Sequence, residues 1–295
     1  NVPSRQDLPQ VAQNATVIRA FDYDKDGDLD VFIGNNSETN RFGSTPDCYL
    51  LNNNKGKFTI VQNKTFEGVG MVTDAVFTDF NSDGQTDLIV IGEWMQPTFF
   101  ANKNGKFTNV TTTVASSKNK GIWQTILPFD IDHDGDEDYL LGNWGMNSKF
   151  NASETYPLKM YYDDFDNNGT FETIVAKEKN GKYYTTMGLD ELTEQFSGML
   201  KKKFNSYQSF AGKTVEEIFD PAMLAIAKQY EVHTLQSGYL KNNKGKFVFV
   251  PFSNAMQVAP RTSFVARDFV GDAKPEVSAA GHYFGVSPYH SRFNG

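Results

Sequence analysis

The sequence has few of the features that cross-link a chain or anchor it in a membrane. Its 295 residues include one cysteine, Cys48, so an internal disulfide is excluded and a buried free thiol is expected. No apolar stretch reaches the roughly 18 residues of a membrane-spanning helix, and no signal peptide is present. The chain begins with Asn1 instead of methionine, which predicts a mature protein or a portion of a longer one.

Basic residues are too few and too scattered for nucleic-acid recognition. The chain has 28 Lys and Arg against 36 Asp and Glu, with a formal net charge of -8 at pH 7. The lysine triplet at 201–203 is predicted to be a solvated helix end. Without a basic stripe, binding of nucleic acid is not expected as a function.

Common catalytic motifs are absent as well. The sequence contains no G-x-S-x-G, no H-E-x-x-H and no P-loop, which favours a non-catalytic protein. The one candidate catalytic group lies near the end of the chain: His282, Tyr283, Tyr289, His290 and Arg292. Such residues can abstract a proton and neutralise a uronate carboxylate, which is lyase chemistry, and they can equally bind a sugar or simply pack.

Acidic nine-residue loops are the most prominent feature present. Four of them place oxygen-bearing side chains at positions 1, 3, 5 and 9, with glycine at position 6, as Ca²⁺ prefers. Position 7 is predicted to contribute its backbone carbonyl. We therefore predict three to four Ca²⁺ ions. The predicted ligands are Asp22, Asp24, Asp26, Asp28, Asp30, Asp79, Asn81, Asp83, Gln85, Asp87, Asp130, Asp132, Asp134, Asp136, Asp138, Asp164, Asp166, Asn168, Thr170 and Glu172.

A fifth loop at 268–276 departs from this pattern. Position 3 is Val270 and position 6 is Ala273, so one side-chain ligand is lost and the glycine is displaced. The fifth loop is predicted to be a structural turn with weak or no calcium binding.

The residues after each loop distinguish two kinds of calcium site. An EF-hand requires a glutamate at position 12 followed by a helix. Position 12 is instead Ile33, Val90 or Leu141, within a short apolar run that stops at a glycine. Such runs predict buried strands, and the loops therefore lead into a sheet.

A second repeat lies out of phase with the loops. Four turns at 55–58, 104–107, 180–183 and 244–247 read Asn/Lys-Gly-Lys-aromatic, which is typical of tight hairpins. The first three loops begin at residues 22, 79 and 130, and are thus 57 and 51 residues apart. This period, with several strands in each unit, predicts the blades of an all-β propeller.

At these residues the chain resembles FG-GAP/VCBS repeats, the calcium-binding blades of the integrin α-subunit propeller. It is also similar to bacterial secreted and surface proteins of the cartilage acidic protein family. The closest stretches are 21–24, 28–32, 41–43 with 49–51, and 281–286. The resemblance implies a β-propeller of about seven blades in the complete ring, with at least five represented here, and a platform for adhesion, protein binding or carbohydrate binding.

One segment and a few aromatic residues fall outside the repeats. Residues 187–232 predict a helical insertion within a blade, which either covers a blade edge or docks a partner. The remainder of 1–295 is predicted to be a single propeller. Trp94 and Trp144 follow blade strands and are candidates for ligand binding together with His282 and Tyr283, the alternative being packing between blades.

The sequence therefore predicts a calcium-stabilised, non-catalytic binding module. Its expected location is extracellular or at the cell surface, of the Gram-negative outer-membrane type. The expected partner is a surface protein. A surface polysaccharide is the first alternative, and a polysaccharide lyase or hydrolase on the same scaffold is the second.

Overall fold

Two four-stranded antiparallel sheets follow the order of the chain. The computed structural model describes residue 9 and residues 14–61, 64–283 and 293–294. The first sheet consists of β1 (Ala15–Phe21), β2 (Asp30–Asn35), β3 (Tyr49–Asn54) and β4 (Lys57–Ile60). The second consists of β5 (Met71–Thr78), β6 (Asp87–Met95), β7 (Thr98–Lys103) and β8 (Lys106–Asn109), with a short β9 (Gly121–Ile122) paired to β6.

The third sheet is divided in sequence by an inserted segment. It begins with β10 (Thr125–Pro128) and β11 (Tyr139–Gly142). The chain then forms a separate sheet from β12 (Leu158–Asp163), β13 (Glu172–Lys179), β14 (Lys182–Thr185) and β15 (Lys228–Val232), in the order β14-β13-β12-β15. It returns to the third sheet as β16 (Gly238–Asn242) and β17 (Phe247–Pro251), where β16 pairs with β11. We call residues 143–237 the cap.

The remaining elements are short. β18 (Ser263–Arg267) pairs with β19 (Glu276–Ala280), and β20 (His282–Tyr283) pairs with β21 (Phe293–Asn294). Two 3-10 turns span Lys64–Phe66 and Asn254–Gln257. The helices are α1 (Thr111–Val114), α2 (Leu189–Gln195), α3 (Ser197–Lys203), α4 (Tyr207–Phe210), α5 (Val215–Ile218) and α6 (Pro221–Ile226).

The sheets pack face to face through aromatic side chains. The first strands β1, β5, β10 and β18 lie side by side in that order. Phe66 contacts Phe32 and Phe100 between the first two sheets, with ring centroids 5.8 and 5.1 Å apart. Phe247 of the third sheet stacks on Phe99 of the second at 4.7 Å. Burial of such large rings supplies most of the favourable free energy of docking.

In the first and third sheets, a glycine at or next to the end of the second strand has a steric role. A Cβ placed at Gly142 would lie 2.1 Å from the carbonyl oxygen of Arg261, two residues before β18 begins. Gly34 of the first sheet faces Val72 of the second in the same way, at 2.6 Å. The recurring glycine therefore lets the next sheet approach the end of the strand.

The observed architecture is all-β, as the sequence predicts. Three sheets carry a loop and a hairpin at the same end, as expected for propeller blades, and β18 with β19 begins a further sheet of this kind. The fourth loop differs, because it joins β12 to β13 in the cap and its hairpin joins β13 to β14 at the opposite end of the strands. The predicted count of at least five blades is therefore not confirmed.

The cap lies on the face opposite the first three loops. It leaves the third sheet at the end of β11, whereas the loops precede the second strand of each sheet. Leu158, Met160 and Val232 of the cap pack with Met71 and Trp94 in one buried apolar cluster. The predicted insertion at 187–232 contains α2 to α6 and ends in β15. No helix among the described residues is long and apolar enough to span a membrane.

Candidate metal centres

The first carboxylate of each loop closes the loop through backbone hydrogen bonds. Asp22 Oδ1 accepts the N–H of Asp26 at 3.1 Å, and Asp22 Oδ2 accepts that of Gly27 at 3.0 Å. Asp79 and Asp164 accept the same pair of bonds from positions 5 and 6 of their loops, at 2.8–3.0 Å. These bonds use only part of the acceptor capacity of a carboxylate, so its oxygens remain available to a cation.

Two left-handed residues give each loop its sharp turn. Position 4 has positive φ at Lys25 (64°) and His133 (59°), and position 6 at Gly27 (95°) and Gly135 (92°). A Cβ at either of these glycines would meet nothing within 4 Å. Glycine is therefore favoured at position 6 for its backbone conformation and not for lack of space.

The carboxylate at position 9 is buried in the first four loops. Asp30 and Asp87 are 0% exposed, Asp138 is 1% exposed and Glu172 is 4% exposed. Asp30 accepts hydrogen bonds from the N–H of Tyr23 (3.2 Å) and of Asn53 (2.8 Å). Asp30, Asp87 and Glu172 are the first residues of β2, β6 and β13, and Asp138 directly precedes β11. The sheet therefore holds each carboxylate beneath its loop.

Positions 1, 3 and 9 converge. In three loops, carboxylate oxygens from these positions all lie within 4.8 Å of one another, as a shared cation requires. The groups are Asp22, Asp24 and Asp30; Asp130, Asp132 and Asp138; and Asp164, Asp166 and Glu172. The second loop has Asn81 at position 3, whose Oδ1 accepts the N–H of Asp83 at 3.0 Å.

Several of these oxygens have no hydrogen-bond partner among the described residues. They are buried and belong to loop positions 1, 3 and 9: Asp130 Oδ1, Asp166 Oδ1, Asp87 Oδ2 and Glu172 Oε1. A buried carboxylate oxygen without a partner costs free energy, and a coordinated cation removes that cost. The donor set therefore fits a hard, oxygen-preferring metal ion.

Burial also raises the pKa of the position-9 carboxyls. The pKa rises to about 6 for Asp30 and to about 7 for both Asp87 and Glu172, because burial disfavours the charged form. The pKa of Asp138 is raised for the same reason. Backbone N–H groups oppose these shifts, and neighbouring loop carboxylates add to them.

Positions 5 and 7 take other contacts in this structure. The position-5 side chain accepts the N–H of position 7 in each loop, at 2.9 Å for Asp26 and 2.8 Å for Asp83. Asp134 and Asn168 do the same. The Asp28 carboxylate accepts the N–H of Lys55 at 2.7 Å, and its contribution through the backbone carbonyl stays a prediction.

The fifth loop has the same shape as the others despite its altered sequence. Asp268 accepts the N–H of Ala273 at 2.8 Å, and Glu276 accepts that of Phe269 at 2.8 Å. The two left-handed positions are kept by Gly271 (φ 83°) and Ala273 (φ 67°). Asp268, Asp272 and Glu276 bring carboxylate oxygens within 4.8 Å of one another. Its weak or absent calcium binding stays a prediction.

Sequence reasoning missed a set of asparagines that support the loops. Asn53, Asn102 and Asn242 each donate a backbone N–H to the position-9 carboxylate of their own sheet, at 2.7–2.8 Å. Each Oδ1 accepts the N–H of the hairpin glycine three residues later, at 2.7–2.9 Å. The signal was present as Asn-x-x-Gly-Lys-Phe in all three hairpins.

The candidate ligand-binding residues lie away from the loops. Trp94 is 7% and Trp144 9% exposed, and both belong to the apolar cluster beneath the cap. His282 and Tyr283 form β20, paired with Asn294 and Phe293. Tyr289, His290 and Arg292 of the candidate catalytic group lie outside the described residues.

The sheets and loops together define a repeat protein with propeller-type units. The family model of the FG-GAP-like repeat matches residues 22–90 and, overlapping them, residues 79–141. Residues 22–141 therefore carry FG-GAP-like repeats, as the resemblance predicts. A comparison with curated proteins finds no match. The finer likeness to integrin α-subunits and cartilage acidic proteins stays a prediction.

Proposed function

We propose that this chain is a calcium-stabilised, non-catalytic binding module that acts at the cell surface. The observation that carries the proposal is the recurring metal loop, with a buried carboxylate at position 9 and oxygens that lack a protein partner. Glu172 shows it most clearly, because one oxygen accepts the N–H of Phe165 at 3.1 Å and the other has no partner among the described residues.

Calcium is the cation that the ligand chemistry favours. The converging groups are carboxylates, and no thiolate or imidazole joins the described clusters. Soft or borderline metals prefer sulfur and nitrogen ligands, and Mg²⁺ demands a tighter octahedron with more water. Flexible loops with many oxygens suit Ca²⁺, and weak loops of this kind fill only in extracellular calcium.

Features of the cap favour a protein as the binding partner. The cap places five helices, α2 to α6, on the face opposite the first three loops, while its own metal loop at 164–172 joins β12 to β13. Tyr207 and Ile226 are 64% and 81% exposed on these helices. Exposed aromatic and aliphatic side chains on an inserted element are typical of docking surfaces.

Calcium binding is tested by titrating CaCl₂ into chelator-treated, dialysed protein in a calorimeter. We expect three to four ions per chain, with dissociation constants of roughly 10⁻⁵–10⁻³ M. MgCl₂ should produce weak heats at most. An absence of calcium heat, together with no calcium in protein purified without chelator, would remove the basis of the proposal.

A cleft beneath the cap favours polysaccharide binding as a second candidate. A cavity of about 500 Å³ lies between the cap and the second sheet, lined by Trp94, Lys120, Lys228 and Tyr230 together with Glu67 and Glu93. Lys228 Nζ donates to Thr45 Oγ1 at 2.8 Å, and burial lowers the pKa of Lys228. Ammonium groups beside aromatic rings suit a glycan that carries carboxylates.

Polygalacturonate is the probe for this second candidate. We expect Lys228→Ala to weaken its binding about tenfold in affinity electrophoresis, because the variant loses one cation of the cleft. Lys201→Ala, on the outer helix α3, is the matched control and should bind normally. If polygalacturonate in the gel does not slow the migration of the unmodified protein, polysaccharide binding is rejected as a function. Release of unsaturated uronates would instead identify a lyase.

A further inference from the structure

A buried asparagine joins the metal loops of the first two sheets. Asn102 is 1% exposed. Its side-chain Nδ2 donates to the carbonyl of Tyr23 in the first loop (3.0 Å) and to the carbonyl of Thr86 (2.9 Å). Its backbone N–H donates to Asp87 Oδ1 of the second loop at 2.7 Å. One residue therefore bonds to both loops.

The bond to the first loop falls at a sensitive point. Tyr23 lies between Asp22 and Asp24, two of the converging carboxylates, and its N–H donates to Asp30 Oδ2 at 3.2 Å. The peptides on both sides of Tyr23 are thus fixed by hydrogen bonds. A shift of Asn102 would move the backbone that carries the ligands of the first loop.

The same arrangement recurs between the second and third sheets. Asn242 is 2% exposed. Its Nδ2 donates to the carbonyl of Phe80 in the second loop at 3.3 Å, and its N–H donates to Asp138 Oδ1 in the third at 2.7 Å. Asn53 of the first sheet is different, because its Nδ2 donates to Leu29 within its own loop at 3.0 Å.

We propose that Asn102 and Asn242 are positioning residues that couple calcium binding between adjacent loops. The inference rests on the proposed calcium binding. A cation in the second loop fixes Asp87, which holds Asn102, which in turn holds the Tyr23 carbonyl of the first loop. The first loop then loses less conformational freedom when it binds its own ion, so filling one loop raises the affinity of the other.

A second contact between these two loops provides a competing route. Lys25 Nζ of the first loop donates to the carbonyl of Gly84 in the second at 2.9 Å. This bond is exposed, and exposed bonds of a flexible lysine contribute little. Coupling is therefore assigned to the buried amide, and Lys25→Met serves as the control for the exposed route.

The test follows each loop separately with ¹⁵N-glycine-labelled protein and CaCl₂. The amides of Gly27 and Gly84 donate to Asp22 in the first loop and to Asp79 in the second. Their chemical shifts therefore report the calcium affinity of each loop. In the natural sequence, Asp83→Ala should empty the second loop and weaken the first about fivefold. In an Asn102→Leu background, Asp83→Ala should leave the affinity of the first loop unchanged.

Control variants separate coupling from general damage. Asn53→Leu removes the equivalent amide without an inter-loop bond, so the fivefold effect of Asp83→Ala should persist in that background, as it should with Lys25→Met. Asn102→Asp provides a second variant if Asn102→Leu does not fold, because it keeps the acceptor for Gly105 and loses the donor to Tyr23.

The outcomes are distinct for the two proposals. The coupling is overturned if Asp83→Ala still weakens the first loop in the Asn102 variants. It is also overturned if Asp83→Ala leaves the first loop unchanged in the natural sequence while both loops bind calcium. Either result leaves calcium binding intact. Glycine amides that do not respond to CaCl₂ at all would overturn calcium binding and the coupling with it.

Discussion

Removing calcium should lower the melting temperature of this protein by roughly 15 °C or more. A ligand present at a hundred times its dissociation constant contributes about 2.7 kcal/mol per site. For a domain of this size, each kcal/mol corresponds to roughly 2–4 °C. Several loops act together, and each leaves buried carboxylates uncompensated when it is empty. The measurement is calorimetric melting in millimolar CaCl₂ and in excess chelator.

The difference in melting temperature between calcium and chelator should depend on pH, and this dependence is an internal control. In the empty protein the pKa of Asp87 is raised to about 7, against about 3.9 for an unfolded aspartate. The folded state then binds more protons than the unfolded state between these values, so stability rises as pH falls from 8 to 5. Protons also compete with calcium over that interval. The difference between the melting temperatures with calcium and with chelator should therefore become smaller as pH falls from 8 to 5. If the difference stays constant at a fixed free calcium concentration, the loop assignment is contradicted.

Asp87→Asn should raise the melting temperature in chelator and lower it in calcium. The amide oxygen can keep the hydrogen bond from Asn102, while the buried negative charge disappears. In chelator at pH 8 we expect the melting temperature to rise by roughly 5 °C, because the cost of burying that charge is relieved. In calcium we expect a fall of similar size, because the second loop loses a charged ligand.

The matched control for this variant is Asp83→Asn. Asp83 is an exposed residue of the same loop, and its carboxylate accepts the N–H of Gln85 at 2.8 Å. Its replacement should lower the melting temperature only in calcium. A fall for Asp87→Asn in both conditions would mean that the buried charge has another stabilising partner and would argue against an empty cation site beneath the loop.

Much of the loop architecture is encoded locally, which is why the sequence could predict it. Glycine at position 6 and the apolar run after position 9 specify a tight turn that leads into a strand, and the structure shows both. The support by Asn102 was missed because its partners, Tyr23 and Asp87, are 79 and 15 residues away. Local patterns do not reveal bonds over such distances.

The cap illustrates the same limit on a larger scale. The sequence predicts a helical insertion at 187–232 but not the sheet that accompanies it, because β12 to β14 carry the loop and hairpin patterns of an ordinary blade. The burial of Trp94 and Trp144 depends on where the cap lies. That position is fixed by tertiary packing between Met160, Val232 and the second sheet, to which no short motif corresponds.

The split third sheet imposes an order on biosynthesis. The third loop receives its backbone support from Asn242, which follows Asp138 by 104 residues. A ribosome must therefore synthesise the whole cap before this sheet can close, and contacts of such long range form slowly. Until then, β10 and β11 present an unpaired edge to other nascent chains. A chaperone that shields that edge during synthesis would act on this protein at a time set by the length of the cap.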